Sequence, residues 1–132
     1  MIGLDTNILL RLFLKDDPEQ CKLVEDLVEK LPEIGPGYIN RITLMEFVWF
    51  LRRRSGLTRD DIMDGVAGLL DSADIVVEDE QVVEETLDVM RNSKVEFADA
   101  FIALRNREMG CRATKTFDKT AARAIPGMEL LT

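Results

Sequence analysis

The sequence predicts an α/β fold, a parallel sheet covered on both faces by helices, and three observations lead there. Short strand-like apolar runs ("MIGL", "YIN", "DIVVED", "RATKTF", "MELL") alternate with longer runs whose apolar residues recur at helical spacing. Capping residues stand where those helical runs begin, and glycine or proline follows where several of them end. The chain has 132 residues, 46% hydrophobic and 32% charged, which suits one ordinary domain able to bury its core without disulfides or structural metal. No repeat or low-complexity linker interrupts the alternation, so residues 1–132 are expected to form a single domain.

Taken in order, Met1 to Leu4 reads as a short buried strand, and "DTNILLRLFL" as a helix that starts at once, with Asp5 or Thr6 able to cap it. "DPEQCKLVEDLVEKL" is a second helix, with Asp17 as N-cap and Pro18 in its first turn. "PEIGPG" reads as loop and "YIN" as a strand. "TLMEFVWFLRRRSG" is a helix stopped by Gly56, in which Thr43-x-x-Glu46 fits a capping box. "TRDDIMDGVAGLLDS" follows, capped by Thr58. "DIVVED" is a strand, "EQVVEETLDVMRN" a helix, and "FADAFIALRNREMG" a helix ended by Gly110. "RATKTF" is a strand, "DKTAARA" a short helix, and "MELL" the last strand after the Pro126-Gly127 turn.

Composition excludes several chemistries. There is no histidine, so a Ser/His/Asp triad, a histidine acid/base ribonuclease and a His-ligated zinc site are ruled out. The two cysteines, Cys21 and Cys111, are far apart and read as core thiols. A net charge of −8 has the wrong sign for a nucleic-acid binder over the whole surface, so a polynucleotide would need a local basic patch or metal ions. The acid runs Asp16-Asp17, Asp60-Asp61 and Glu78-Asp79-Glu80 read as solvated. "ILLRLFL" is interrupted by Arg11 and lacks a basic leader, so no signal peptide or membrane span is expected, and a cytoplasmic protein is.

Four acids fall where such a fold gathers ligands, near the carboxyl ends of strands. Asp5 stands between an apolar strand and an apolar helix, where burying a carboxylate would be costly without compensation. Glu46 is expected in the first turn of the helix after the second strand, and Asp118 directly follows "RATKTF". Asp99 sits in "FADAFIAL" at the edge of the inward face, with Glu96 at i,i+3 spacing before it. Each taken singly is explained equally well by capping. Together they differ, because two carboxylates about 5 Å apart repel by roughly 3 kcal/mol at an effective dielectric near 20. A divalent cation removes that repulsion. Oxygen-only ligation favours Mg²⁺ or Mn²⁺, and a hydrated ion of that kind in a carboxylate cleft suits hydrolysis of phosphodiesters.

"LDTNILL", the glutamate in "ITLMEF", "FADAFIAL" and "TFDKTAAR" resemble, in order and spacing, the PIN-domain nucleases, and most closely the VapC-type toxins of prokaryotic toxin-antitoxin pairs. The resemblance spans nearly the whole chain. It implies a three-layer α/β/α domain with a central parallel sheet and a Mg²⁺-dependent endoribonuclease that cuts structured RNA such as tRNA. It carries over Asp5, Glu46, Asp99 and Asp118 as the catalytic acids, with Asp5 and Asp99 as direct metal ligands. Thr6, Asn7 and Thr116 match supporting polar positions, and Glu96 stands where many relatives carry Asp. A small antitoxin and a homodimer are the implied protein partners.

Local cations complete the expectation. Lys119 and Arg123, immediately after Asp118, are the best placed for an RNA backbone, ahead of Arg52, Arg53, Arg54, Arg112 and Lys115. "LMEFVWFLRRR" is apolar nearly all round its helix, which leaves Trp49 and Phe50 for a dimer mate or the antitoxin. Competing readings are a catalytically silent PIN-like binding module, a PIN nuclease of RNA processing, and a phosphotransfer domain with an aspartate nucleophile. The last of these wants Asp-x-Asp after the first strand, where this chain has Asp5-Thr6-Asn7.

Overall fold

In the computed structural model, which describes residues 1–54 and 56–132, the chain forms two compact units, Met1–Glu78 and Asp79–Thr132. Ser55, which the sequence places in the last turn of the third helix, lies outside the described residues.

The first unit is built on three parallel strands, β1 (Ile2–Gly3), β2 (Gly37–Ile39) and β3 (Ile75–Val77), in the order β1-β2-β3. Parallel neighbours need long crossovers, and helices supply them. Two helices, α1 (Thr6–Leu14) and α2 (Pro18–Ile34), connect β1 to β2, and α3 (Arg41–Arg53) and α4 (Arg59–Asp71) connect β2 to β3. α1 packs on α2 and α3, and α4 packs on α3 and β3. Leu4, Leu9, Leu31, Ile39, Leu44, Phe47, Leu51 and Val66 are buried there, and each such side chain contributes about 1.5–3 kcal/mol by leaving water. Phe13 meets Phe47 edge to face, centroids 6.0 Å apart. Gly37 is required by space, since a Cβ on it would lie 2.7 Å from Leu4 Cδ1 and 3.4 Å from Leu31 Cδ1.

The second unit comprises α5 (Glu80–Arg91), α6 (Phe97–Glu108), β4 (Thr114–Thr116), α7 (Lys119–Ala124) and β5 (Met128–Leu130). β4 and β5 pair in parallel, Thr114 with Met128 through Thr116 with Leu130. α5 packs on α6, and α7 on both strands. Val95, Ala100, Ala103, Ala121, Ile125 and Met128 form one buried hydrophobic cluster in this unit.

Most predicted boundaries hold within two residues, and the exceptions have physical causes. α2 runs on through Pro32 to Ile34, where a loop was expected. In the last turn a proline forfeits one backbone bond only, and the buried Leu31 anchors the turn until Gly35, at φ 107°, donates its N–H to Leu31 O and ends it. α3 begins at Arg41 because Asn40, not Thr43, is its cap, accepting from Thr43 N at 2.8 Å. The Thr43-Glu46 capping box is therefore absent. By contrast, Thr58 and Asp61 do form a reciprocal capping box on α4. Cys21 is buried as expected, whereas Cys111 is exposed, lying past the end of α6 beyond Gly110. Ile102 on α6 is also exposed; Phe97, Ala100, Phe101, Ala103 and Leu104 are that helix's buried set. Among the described residues no helix is long and apolar enough to cross a membrane.

Candidate active site

In the first unit the polar residues collect where the strands end. Asp5 follows β1 and caps α1, its carboxylate accepting from Thr6 N at 2.8 Å. It is exposed, which corrects the expectation of a costly buried carboxylate: water and a backbone N–H already solvate it. Thr6 is buried, and its hydroxyl donates to Glu46 Oε1 at 2.7 Å, across 40 positions of sequence. Glu46 stands exposed in the second turn of α3, on the side of that helix that reaches α1. Thr6 thus holds one acid with its hydroxyl while its own N–H is held by another. Asn7 is exposed on the first turn of α1.

Of the acids after β3 that were read as solvated, Glu78 and Asp79 are paired. Glu78 accepts from the Arg41 N–H at 2.8 Å and meets its guanidinium at 3.4 Å. In the second unit Asp79, left-handed at φ 56°, pairs with Arg105 at 3.1 Å. The sequence offered one signal for this, a run of acids at the carboxyl end of a strand, where a helix start or an arginine commonly answers it. Asp16 likewise pairs with Arg11 and Arg54.

In the second unit Glu96 is the N-cap residue of α6, Asp99 lies in that helix's first turn, and Asp118 caps α7 by accepting from Ala121 N at 3.0 Å. Thr116 Oγ1 accepts from Asp118 N at 3.0 Å and fixes the turn that presents the acid. Asp99 is half-buried and has no hydrogen bond or ion pair among the described residues. Partial burial first, then the charges of Asp118 and Glu96, raise its carboxyl above the ordinary value. All three causes act in one direction.

A family model for the PIN domain matches residues 2–125. The chain belongs to the PIN domain family. Such domains are generally metal-dependent nucleases. No curated protein gives a match to the chain.

The donor chemistry of this PIN domain suits a hard divalent cation. Asp99 lies among like charges whose repulsion a cation would relieve, and the available donors are oxygens, with no histidine in the chain. Among the described residues no three acid or cysteine side chains stand grouped at the spacing of a metal centre. The acids instead form two sets, Asp5 with Thr6 and Glu46 in the first unit, and Glu96, Asp99 and Asp118 in the second.

The cations of the PIN domain separate cleanly. Arg53 lies 4.5 Å from the Trp49 ring centroid, Arg54 is paired with Asp16, and Lys115 is bound to Glu129 at 2.7 Å. Lys119 and Arg123 have no hydrogen-bond or ion-pair partner among the described residues and are exposed on α7.

Proposed function

We propose that this PIN domain is a Mg²⁺-dependent endoribonuclease of the VapC toxin type, hydrolysing phosphodiester bonds in tRNA or another structured RNA and silenced by a cognate antitoxin. The observation that carries the catalytic part is the raised carboxyl of Asp99, pressed by burial and by the charges of Asp118 and Glu96 inside a chain of the PIN family. A structural carboxylate would gain a donor; this one faces acids.

In this reading Asp5 and Asp99 hold Mg²⁺ or Mn²⁺, and Glu46 and Asp118 complete the acidic set or orient water. The ion, when bound, would neutralise phosphate charge and make a water molecule more acidic. The chain's own part is positional. The Thr6 hydroxyl aims Glu46, the backbone N–H of Thr6 fixes Asp5, and the Thr116 hydroxyl shapes the turn carrying Asp118. Hydrolysis joins a water oxygen to phosphorus, breaks one P–O ester bond and needs a carboxylate to take the proton, a role open to Glu46 or Asp118.

Incubating the protein with total tRNA in Mg²⁺ and in EDTA tests this reading. Cuts that need the metal and vanish in Asp5→Asn support it; RNA left intact in Mg²⁺, or bound without being cut, returns the chain to a binding module.

The partner side of the reading rests on α3. Ile42, Trp49 and Phe50 are exposed there, with Trp49 edge-on to Phe50 at 5.2 Å and capped by Arg53. We assign this exposed aromatic patch to protein contact, with the antitoxin or with a second copy in a homodimer. Trp49→Glu should weaken antitoxin affinity or dimer formation about thirtyfold or more, as expected for an aromatic anchor worth at least 2 kcal/mol. Unchanged mass by light scattering together with unchanged affinity by titration would remove the assignment.

A further inference from the structure

A cleft of ≈ 370 Å³ lies against α7 and β5 in the second unit, lined by Lys119, Ala122, Arg123, Met128, Glu129 and Leu130. Its composition is uneven. Lys119 and Arg123 are at i,i+4 and therefore project from one face of α7. Ala122, Met128 and Leu130 supply an apolar floor. The single acid, Glu129, is bound by Lys115 at 2.7 Å, which holds its carboxyl below the usual carboxylate range. Its charge is thus compensated from outside the cleft lining, while the two α7 cations have no partner among the described residues.

That arrangement is unusual for this chain. Its net charge is −8, and many of its cations are tied down: Lys22 to Asp26, Arg91 to Asp88, Arg105 to Asp79, Arg107 to Glu85. Two uncompensated cations on the rim of one concavity attract an anion, and the floor beneath them favours an anion with a flat apolar part. A nucleotide has both. A glutamate side chain would satisfy the cations and leave the floor unused. The position also matters, because Lys119 directly follows Asp118, the cap of the same helix and one of the charges acting on Asp99.

We propose that this cleft takes one nucleotide of the RNA strand beside the one at which hydrolysis occurs, its phosphate between Lys119 and Arg123 and its base over Ala122, Met128 and Leu130. The inference rests on the nuclease reading for its place along the strand, but its occupancy is measurable without cleavage.

The test is titration of a labelled single-stranded oligoribonucleotide of about six residues, within the site size of simple single-strand binders, in EDTA over a range of salt. The intact protein should bind it. Lys119→Glu with Arg123→Glu should weaken binding at least tenfold at low salt and lower the salt slope by about 0.7, the value for one neutralised phosphate on a single strand. Lys119→Gln with Arg123→Gln should act in the same direction. Both residues are exposed, and an unchanged melting temperature verifies the fold. Ala122→Trp should weaken binding with little change in slope. Lys22→Glu with Lys30→Glu, an equal change of charge at exposed residues that do not line the cleft, should leave affinity within about threefold at about 0.15 M salt, where screening weakens the effect of net charge alone.

Wild-type affinity in the α7 variants, an equal loss in the α2 variant, or tighter binding of a glutamate-rich peptide than of RNA of equal charge would overturn the subsite. Cleavage of tRNA that needs Asp99 but ignores the α7 cations would overturn the subsite and leave the nuclease standing. Oligonucleotide bound through Lys119 and Arg123, with no RNA cut in Mg²⁺, supports the cleft and removes the nuclease reading instead.

Discussion

Asp99 in the second unit is held differently from the acids gathered where the strands of the first unit end. In the first, Asp5 accepts a backbone N–H, Glu46 accepts the Thr6 hydroxyl, and Glu78 accepts from Arg41, so each carboxylate has a donor. In the second, Asp99 has two acids for electrostatic neighbours and no donor among the described residues. The difference shows where affinity for a cation would originate. Acids already satisfied by donors supply position; an acid in conflict with its neighbours supplies the driving force.

The sharpest way to break this contrast is Asp99→Asn. If conflict at Asp99 drives cation binding, the variant should lose cleavage by about 10³-fold while keeping its fold by circular dichroism, a loss within the range for removing an essential catalytic group. It should also lose the rise in melting temperature that Mg²⁺ gives the wild type, since a ligand binding only the folded state stabilises it by about 2.7 kcal/mol at a hundred times its Kd. Cleavage near wild type would end the comparison.

Thr6→Val examines the positional side. Removing the buried Thr6 hydroxyl leaves the exposed Glu46 without the donor that aims it, so cleavage should fall about 10–100-fold and stability by about 1 kcal/mol, with Thr6→Ser restoring most of both. If Thr6→Val cuts normally, Glu46 needs no aiming.

The pH dependence of the metal-free protein separates the units again. Because the folded-state carboxyl of Asp99 is raised above its ordinary 3.8, protonation favours the fold. The stabilisation is complete below the unfolded value and is lost as pH rises through the folded one. Melting temperature should therefore decline over that interval from this residue alone, Asp99→Asn should flatten the decline, and saturating Mg²⁺ should reverse it. A wild type and an Asp99→Asn variant with superimposable pH profiles would show that the acids do not interact. The smallest effect belongs to the cap of α3: Asn40→Ala should cost about 1 kcal/mol by denaturant titration and leave cleavage of the remaining folded protein intact.

What the sequence made legible follows from how local each cause is. Asp17 with Pro18, Thr58 before "RDDIMD", and Asp118 before "KTAARA" announce their helices within four residues, and the structure has all three caps. Parallel pairing was legible because each pair of neighbouring strands is separated by a helix. Asn40 was passed over because Thr43 offers the same chemistry three residues later, and only the start of the chain's helical bonding decides between them. The exposure of Asp5 and Cys111, and the run of α2 through Pro32, depend on tertiary surroundings that no pattern of spacing encodes. At the candidate site the acids themselves were legible as residue types in order. The contact between Thr6 and Glu46, and the crowding of Asp99 by Asp118, join distant parts of the chain and become visible only as geometry.

Gly37 leaves a mark of a different kind. Every codon change that alters this amino acid adds a Cβ or a longer group, and the buried Leu4 side chain, whose Cδ1 would lie 2.7 Å away, must shift within the core to admit it. A saturation library selected for folded protein should therefore show position 37 depleted, most strongly in large side chains, beside tolerant columns at Gly3 and Gly68, where the same addition would meet open space.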